Sequence, residues 1–193
     1  MLILDRDSIP PRANYCDGDV AYVLHYLSDK EFASRAELSR YLFLGEGSFR
    51  GLLSIMAGAG LVGIHQKGIF ITESGHKMRR ILEITPMDMD PGISYGPYTQ
   101  CLRVRGKGAD IEKRTELVKV CTDNGGAGCA IWYVRKGQIH MPSFLEMTRE
   151  NSDGSERIME DAALYEDDVF LACGARTMRD AKKAAMAVAL KIV

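Results

Sequence analysis

The chain has no apolar run long enough to cross a bilayer. Its longest charge-free stretch, around Leu52 to Ile64, is short and glycine-bearing. A basic segment leading into a long apolar run is also missing from Met1-Leu2-Ile3-Leu4-Asp5-Arg6, so the pattern of a signal peptide is absent. These absences predict a cytoplasmic protein with no membrane partner. The five cysteines (Cys16, Cys101, Cys121, Cys129, Cys173) are odd in number and widely spaced, without a Cys-x-x-Cys pair. Local metal fingers and a disulfide framework are thereby excluded, and the thiols are expected to be buried, inert small hydrophobes. Net charge is −1, too little positive excess to announce nucleic-acid binding for the whole chain. No internal repeat is visible.

What is present is an ordinary globular composition, 46% apolar and 26% charged, over 193 residues. That length suits one large or two small domains. Residues 1 to about 16 carry Pro10-Pro11 and no hydrophobic period, and read as an extended arm. Val20, Leu24 and Leu27 then mark a helix over Asp17–Leu27. Ser34-Arg35-Ala36-Glu37 is a capping box that opens a second helix, ending near Leu44-Gly45. A third starts at Glu46-Gly47, with Phe49, Leu52, Leu53 and Met56 at i, i+3, i+4 and i+7. Gly58-Ala59-Gly60-Leu61 closes it. Val62–His65 and Ile69–Thr72 are two β-runs around a Gln66-Lys67-Gly68 tip. Thr72-Glu73-Ser74-Gly75 begins a last helix through Ile81. Helices followed by a hairpin within about fifty residues are the layout of a winged helix-turn-helix, a DNA-reading module. Residues 1–83 are therefore assigned to a winged-helix DNA-binding domain.

The local charge agrees with that assignment. Between Lys30 and Arg80 eight basic residues face four acidic ones, a modest footprint for phosphate. If the third helix packs through its apolar stripe, Gly47, Ser48, Arg50, Gly51 and Ser54 point outward. Small residues let the backbone approach the major groove, Arg50 can reach guanine or phosphate, and Ser48 and Ser54 can donate to phosphate. The expected DNA-binding set is Arg35, Ser48, Arg50, Ser54, His65, Lys67 and Lys77, with His76, Arg79 and Arg80 on the following helix able to reach phosphate or merely solvate it. The bland alternative is a solvent-facing helix that contacts only protein.

Thr85 to Pro97 holds three prolines and two glycines, so 84–97 is read as a hinge or linker. Residues 98–193 read as a small α/β sandwich of order β-α-β-β-(α)-β-α, serving ligand binding or dimerisation. Its pieces are a strand over Tyr98–Val104, a helix over Ala109–Asp123, strands over Cys129–Val134 and Gln138–Met141, a loop at Asn151–Ser155, a short helix over Glu156–Leu164, a strand over Val169–Ala175 and a helix over Thr177–Ile192. Of Trp132 and Tyr133, one is expected in the core and the other outside. The whole chain is thus expected to be α+β.

Gly125-Gly126-Ala127-Gly128 follows a helix and precedes a strand, the reverse of a phosphate loop, and reads as a helix stop and turn. A better anion candidate is the strand-to-helix junction Cys173-Gly174-Ala175-Arg176-Thr177. Gly174, Arg176 and Thr177 are the ligand-binding candidates there, with a capped helix and a surface Arg as the alternative. Glu160, Asp161, Glu166, Asp167 and Asp168 are acidic neighbours that could hold a divalent ion or do acid–base work. No nucleophile or His stands beside them, and a solvated acidic surface is the plainer reading. No catalytic residue, metal ligand or cofactor is assigned.

The stretch Leu44-Gly45-Glu46-Gly47-Ser48-Phe49-Arg50-Gly51-Leu52-Leu53, with Gly60-Leu61 and Thr72-Glu73-Ser74-Gly75, resembles an archaeal family of winged-helix transcriptional regulators with an uncharacterised C-terminal domain. Ile111-Glu112-Lys113-Arg114 through Gly126-Ala127-Gly128-Cys129-Ala130, and the strand before Met141-Pro142, are similar to that C-terminal domain. The resemblance implies a transcriptional regulator and brings no ligand or operator with it. The expectation is a homodimer that binds double-stranded DNA, with a small-molecule effector shifting the population of two arrangements. Two alternatives stay open: a winged-helix protein-interaction module in a larger assembly, and a metal-dependent enzyme using the acidic neighbours and Arg176.

Overall fold

The computed structural model describes residues 14–92, 95–145 and 149–193. The proposed extended arm at Pro10-Pro11 and the Ile93-Ser94 part of the proposed linker lie outside these residues. The chain is a mixed α+β protein that divides into two compact units, with the boundary between Glu83 and Ile84.

In the first unit α1 (Asp17–Ser28) buries Val20, Val23, Leu24 and Leu27. The helix α2 (Arg35–Leu42) begins with Ser34 accepting from the Glu37 amide at 3.1 Å, while the Glu37 carboxylate reaches back to the Ser34 amide. It stops two residues earlier than expected because Phe43 turns into the left-handed region at φ 54. In α3 (Glu46–Gly58) the inward stripe is Phe49, Leu52, Leu53 and Met56. A two-residue turn at Gln66-Lys67 joins β1 (Val62–His65) to the antiparallel β2 (Gly68–Ile71). Gly68, at φ 142, brings β2 against Ala33, with paired hydrogen bonds of 2.9 and 2.8 Å between Ala33 and Ile69. A Cβ on Gly68 would meet the Ala33 carbonyl oxygen at 2.7 Å. Thr72 caps α4 (Glu73–Leu82), accepting from the Gly75 amide at 3.1 Å and donating to the Gly60 carbonyl at 2.6 Å.

The second unit is built on one five-stranded sheet in which every neighbouring pair is antiparallel. Its strands are β3 (Ile84–Met87), β4 (Tyr98–Val104), β5 (Gly128–Arg135), β6 (Gln138–His140) and β7 (Val169–Ala175), in the order β3-β4-β7-β5-β6. The central β7 is buried along its whole length, so both faces of the sheet are covered. One face carries Cys101, Ala130, Trp132, Val134, Phe170 and Ala172, covered by Ile158 of α6 (Arg149–Asp161). The other carries Leu102, Ile131, Leu171 and Cys173. Over it lie α5 (Leu117–Asp123) and α7 (Met178–Ile192), packed against each other. The buried Ala181, Ala184, Ala185 and Ala189 give α7 a smooth face for close contact.

Several expectations are corrected here. The segment expected to be a linker from 84 onward opens with β3, a strand of the sheet rather than a tether. Pro86 is tolerated because β3 is an edge strand. The helix expected over Ala109–Asp123 is two pieces, a 3₁₀ helix at Gly108–Lys113 and then α5. The break at Arg114 lets its guanidinium donate to the Lys191 and Ile192 carbonyls at the end of α7, both at 3.2 Å. The expected loop at Asn151–Ser155 lies inside α6, and Gly154 is buried one turn before Ile158. Trp132 and Tyr133 are both enclosed, on opposite faces, and the Tyr133 hydroxyl donates to Glu112 at 2.8 Å.

Candidate functional site

In the first unit the exposed stripe of α3 is Gly47, Arg50, Ser54 and Gly58, at spacings of three, four and four residues, opposite its buried stripe. Ser48 is only half exposed, and Gly51 is backed by Tyr15, whose ring would lie 3.1 Å from a Cβ there. Gly51 is therefore not the open position its spacing suggested. Arg50 pairs loosely with Glu46 one turn earlier, at 3.4 Å and 71% side-chain exposure. Such a pair stabilises by only a few tenths of a kcal/mol, so Arg50 is available to a partner at little cost.

At the hairpin tip His65 and Lys67 are exposed, and the Lys67 amide donates to the His65 Nδ1 at 3.3 Å. The Phe32 ring lies 5.6 Å from the His65 ring and 5.7 Å from the Lys67 ammonium, which holds the tip against the body of the unit. Arg35, Lys77 and Arg80 are exposed, while His76 and Arg79 are half buried. Lys30, counted in the basic excess, is already engaged by Glu37 at 2.6 Å and by the Tyr26 hydroxyl. Lys30 and the Tyr26 hydroxyl both donate to the Glu37 carboxylate and hold it down at about 2.

In the second unit the residues proposed for an anion are employed otherwise. Thr177 accepts from the Asp180 amide at 3.1 Å and donates to its carboxylate at 2.7 Å. A carboxylate of the chain itself thus holds the start of α7, which disfavours a second anion there. Gly174 packs beneath Tyr95 and leaves no room for a Cβ. Arg176 is exposed. This is the capped-helix alternative.

The acidic neighbours do not converge either. Asp168 is buried and forms an ion pair with Arg103, accepting from Nε at 2.7 Å and also from Nη2. The Glu166 carboxylate accepts from the Lys136 amide at 2.9 and 3.1 Å. Asp167 serves through its backbone, bonded to Gly108 and Val134. Glu160 is exposed on α6, and the Asp161 side chain lies outside the described residues.

The feature that sequence spacing missed is made of sulfur. Cys121 on α5, Cys129 on β5 and Cys173 on β7 are all buried, and their sulfur atoms lie within 4.8 Å of one another. Cys129 and Cys173 are direct partners in the β5–β7 ladder, and Cys121 comes down from the helix above them. None is in a disulfide. Of the three, Cys121 has its thiol pushed down, since the other two donate to it, while that same contact and burial push Cys129 and Cys173 up. Gly126 closes over Cys121: a Cβ there would lie 2.3 Å from its sulfur. The glycine-rich turn Gly125–Gly128 is accordingly both the stop of α5 and the wall of the sulfur cluster. The available signal was one cysteine at an inward position of each of two apolar strands, with a third four residues after the buried Leu117.

A family description, the domain of unknown function DUF4443, matches residues 95–192. The chain belongs to the DUF4443 family. The match begins just before β4 and runs through α7, so it takes in the sulfur cluster and most of the sheet. Among solved structures, the chain is similar to the hypothetical protein PH0730 from Pyrococcus horikoshii OT3, at 25% identity and a TM-score of 0.69 over 92% of each chain. That likeness extends beyond the DUF4443 region into the first unit. No curated protein matches the chain.

Proposed function

We propose that this protein is a DNA-binding transcriptional regulator whose first unit is a winged helix reading duplex DNA. The observation that carries the reading is the solvent face of α3, where Gly47, Arg50, Ser54 and Gly58 form one exposed stripe with a single long cation, and the exposed Glu46 stands beside Arg50 at its edge. A stripe so low in bulk suits the close approach of a helix to the major groove, with Arg50 as the side chain that reaches a base edge or a phosphate. Lys67 at the exposed hairpin tip suits contact with the sugar–phosphate backbone, supported by Arg35, His65, Lys77 and Arg80. In this reading the second unit holds a homodimer together or senses an effector, and two recognition helices reach repeated half-sites.

The test is Arg50→Ala, measured by fluorescence anisotropy with duplex DNA over a salt series. Because Arg50 is exposed, the variant folds as the wild type does. It should bind more weakly and lose about 0.9 from the slope of log affinity against log salt if the lost contact is a phosphate. Unchanged affinity and slope would remove α3 as the reading helix.

One observation favours a second reading, a protein-interaction module. Phe43, Ile64 and Ile81 are more than half exposed in the first unit, at 56, 53 and 51%. A stable hetero-complex without duplex affinity at low salt would decide for that reading.

A further inference from the structure

We propose that Cys121, Cys129 and Cys173 form a binding site for a soft, thiophilic metal or metalloid ion held by three sulfur atoms, and that a trivalent ion such as arsenite fits it best. The proposal rests on geometry in the second unit and does not depend on DNA binding. Three sulfurs come from three separate elements, α5, β5 and β7, and lie within 4.8 Å of one another. Bonds of about 2.3 Å put the sulfur atoms about 4.0 Å apart in a planar three-sulfur shell and closer in the pyramid that As(III) adopts, so from a spacing of up to 4.8 Å the sulfurs must draw together by up to about 1 Å or somewhat more to close around the ion. Among the described residues no His or carboxylate oxygen joins this group. An all-thiolate donor set selects soft ions over magnesium, calcium or manganese. A structural zinc site takes four ligands, and among the described residues only these three meet as a ligand group.

Charge decides between the soft ions. Three thiolates around a monovalent ion leave two negative charges in a buried place, and a divalent ion leaves one. A trivalent ion leaves none, which avoids the cost of an uncompensated buried charge. Arsenite binds by condensation: As(OH)₃ and three thiols give As(SR)₃ and three waters. Three As–O bonds break and three As–S bonds form. The three thiol protons leave in the water, and no atom changes oxidation state. The bound ion would tie α5 to the two inner strands β5 and β7.

The experiment is native mass spectrometry of the full chain in a thiol-free reductant, titrated separately with arsenite, with Cu(I) delivered by a weak chelator, and with Zn(II). Arsenite is expected to add one arsenic with loss of three protons and to raise Tm, as any ligand confined to the native state does. Cys121→Ser, Cys129→Ser and Cys173→Ser should each abolish the adduct at one equivalent, whereas Cys16→Ser should keep it. Gly126→Ala, which crowds Cys121 without removing a ligand, should weaken binding by about tenfold or more, as expected for a group that orients a ligand. Cu(I) held more tightly than arsenite, with the same dependence on three cysteines, would support the sulfur site and overturn the charge argument. Wild-type protein that takes up neither arsenite nor Cu(I), or only Zn(II), would overturn the proposal, and this outcome needs no variant to fold.

Discussion

The two units keep their chemistry in opposite places. In the first, the groups able to meet a partner are on the outside: Arg50 on α3, Lys67 on the hairpin tip, Lys77 and Arg80 on α4. The core beneath them is mainly aliphatic and aromatic, with Leu24, Leu38, Leu52 and Phe49 buried, and its buried Asp19 serves the start of α1 by accepting from the Cys16 amide. In the second unit the distinctive groups are inside, with three thiols under α5 and the Arg103–Asp168 pair at the strand ends. The difference teaches where each unit is sensitive. Substituting the first unit's exposed groups should change binding and leave folding alone. Substituting the second unit's buried groups should change folding, because a buried group deprived of its partner carries the full cost of desolvation.

The largest expected effect breaks the second unit from within. Trp132, 1% exposed between α6 and the sheet, should cost about 3–5 kcal/mol when changed to Ala, read from the denaturant midpoint. Asp168→Ala should cost a similar amount, roughly 3–5 kcal/mol, by stranding the Arg103 guanidinium between the Tyr165 and Phe170 rings. Loss below about 1 kcal/mol for either would show that the second unit is not organised around its buried groups.

A smaller effect belongs to the start of α4 in the first unit. Thr72→Ala removes the acceptor for the Gly75 amide and the donor to Gly60, at a cost of roughly 1 kcal/mol in thermal or chemical unfolding. Glu37 provides a pH handle on the same unit. Its carboxyl, ordinarily near 4.5, is lowered to about 2 chiefly by hydrogen bonds from Lys30 and Tyr26. The stabilisation is therefore complete above pH 4.5 and disappears as pH falls from there toward 2. Because the pair is exposed to solvent, the effect is small. Glu37→Gln should flatten this part of the stability profile, and an unchanged acid limb would dismiss the pair as a contributor. Smallest of all, Arg50→Ala should shift stability by no more than about 0.5 kcal/mol.

The same contrast governs how much of each unit is legible in the sequence. The elements of the first unit carry local punctuation. Ser34 and Thr72 cap helices, Gly68 supplies the turn geometry, and Phe49 through Met56 repeat with helical period. Those signals act over three or four residues, and the helices and hairpin were legible almost to the residue. Neither Phe43 turning left-handed nor Tyr15 backing Gly51 has a local signal. In the second unit β4, β7 and α7 were legible from apolar runs and the Thr177 cap. Pro86 concealed β3, whose edge position is a property of the sheet and not of the segment. The sulfur cluster was illegible for the same kind of reason. Cys121, Cys129 and Cys173 meet only through the β5–β7 register and the placement of α5 above it. Their spacing along the chain, judged alone, argued for unrelated thiols.

The central claim, that the first unit reads duplex DNA, is tested most directly by titrating the full chain into a random-sequence duplex at several salt concentrations. The account predicts binding at low salt that weakens log-linearly as salt rises, the signature of counterion release from phosphate contacts. Absence of binding at the lowest salt would contradict it and leave the exposed face of α3, with Phe43, Ile64 and Ile81, as a surface for another protein.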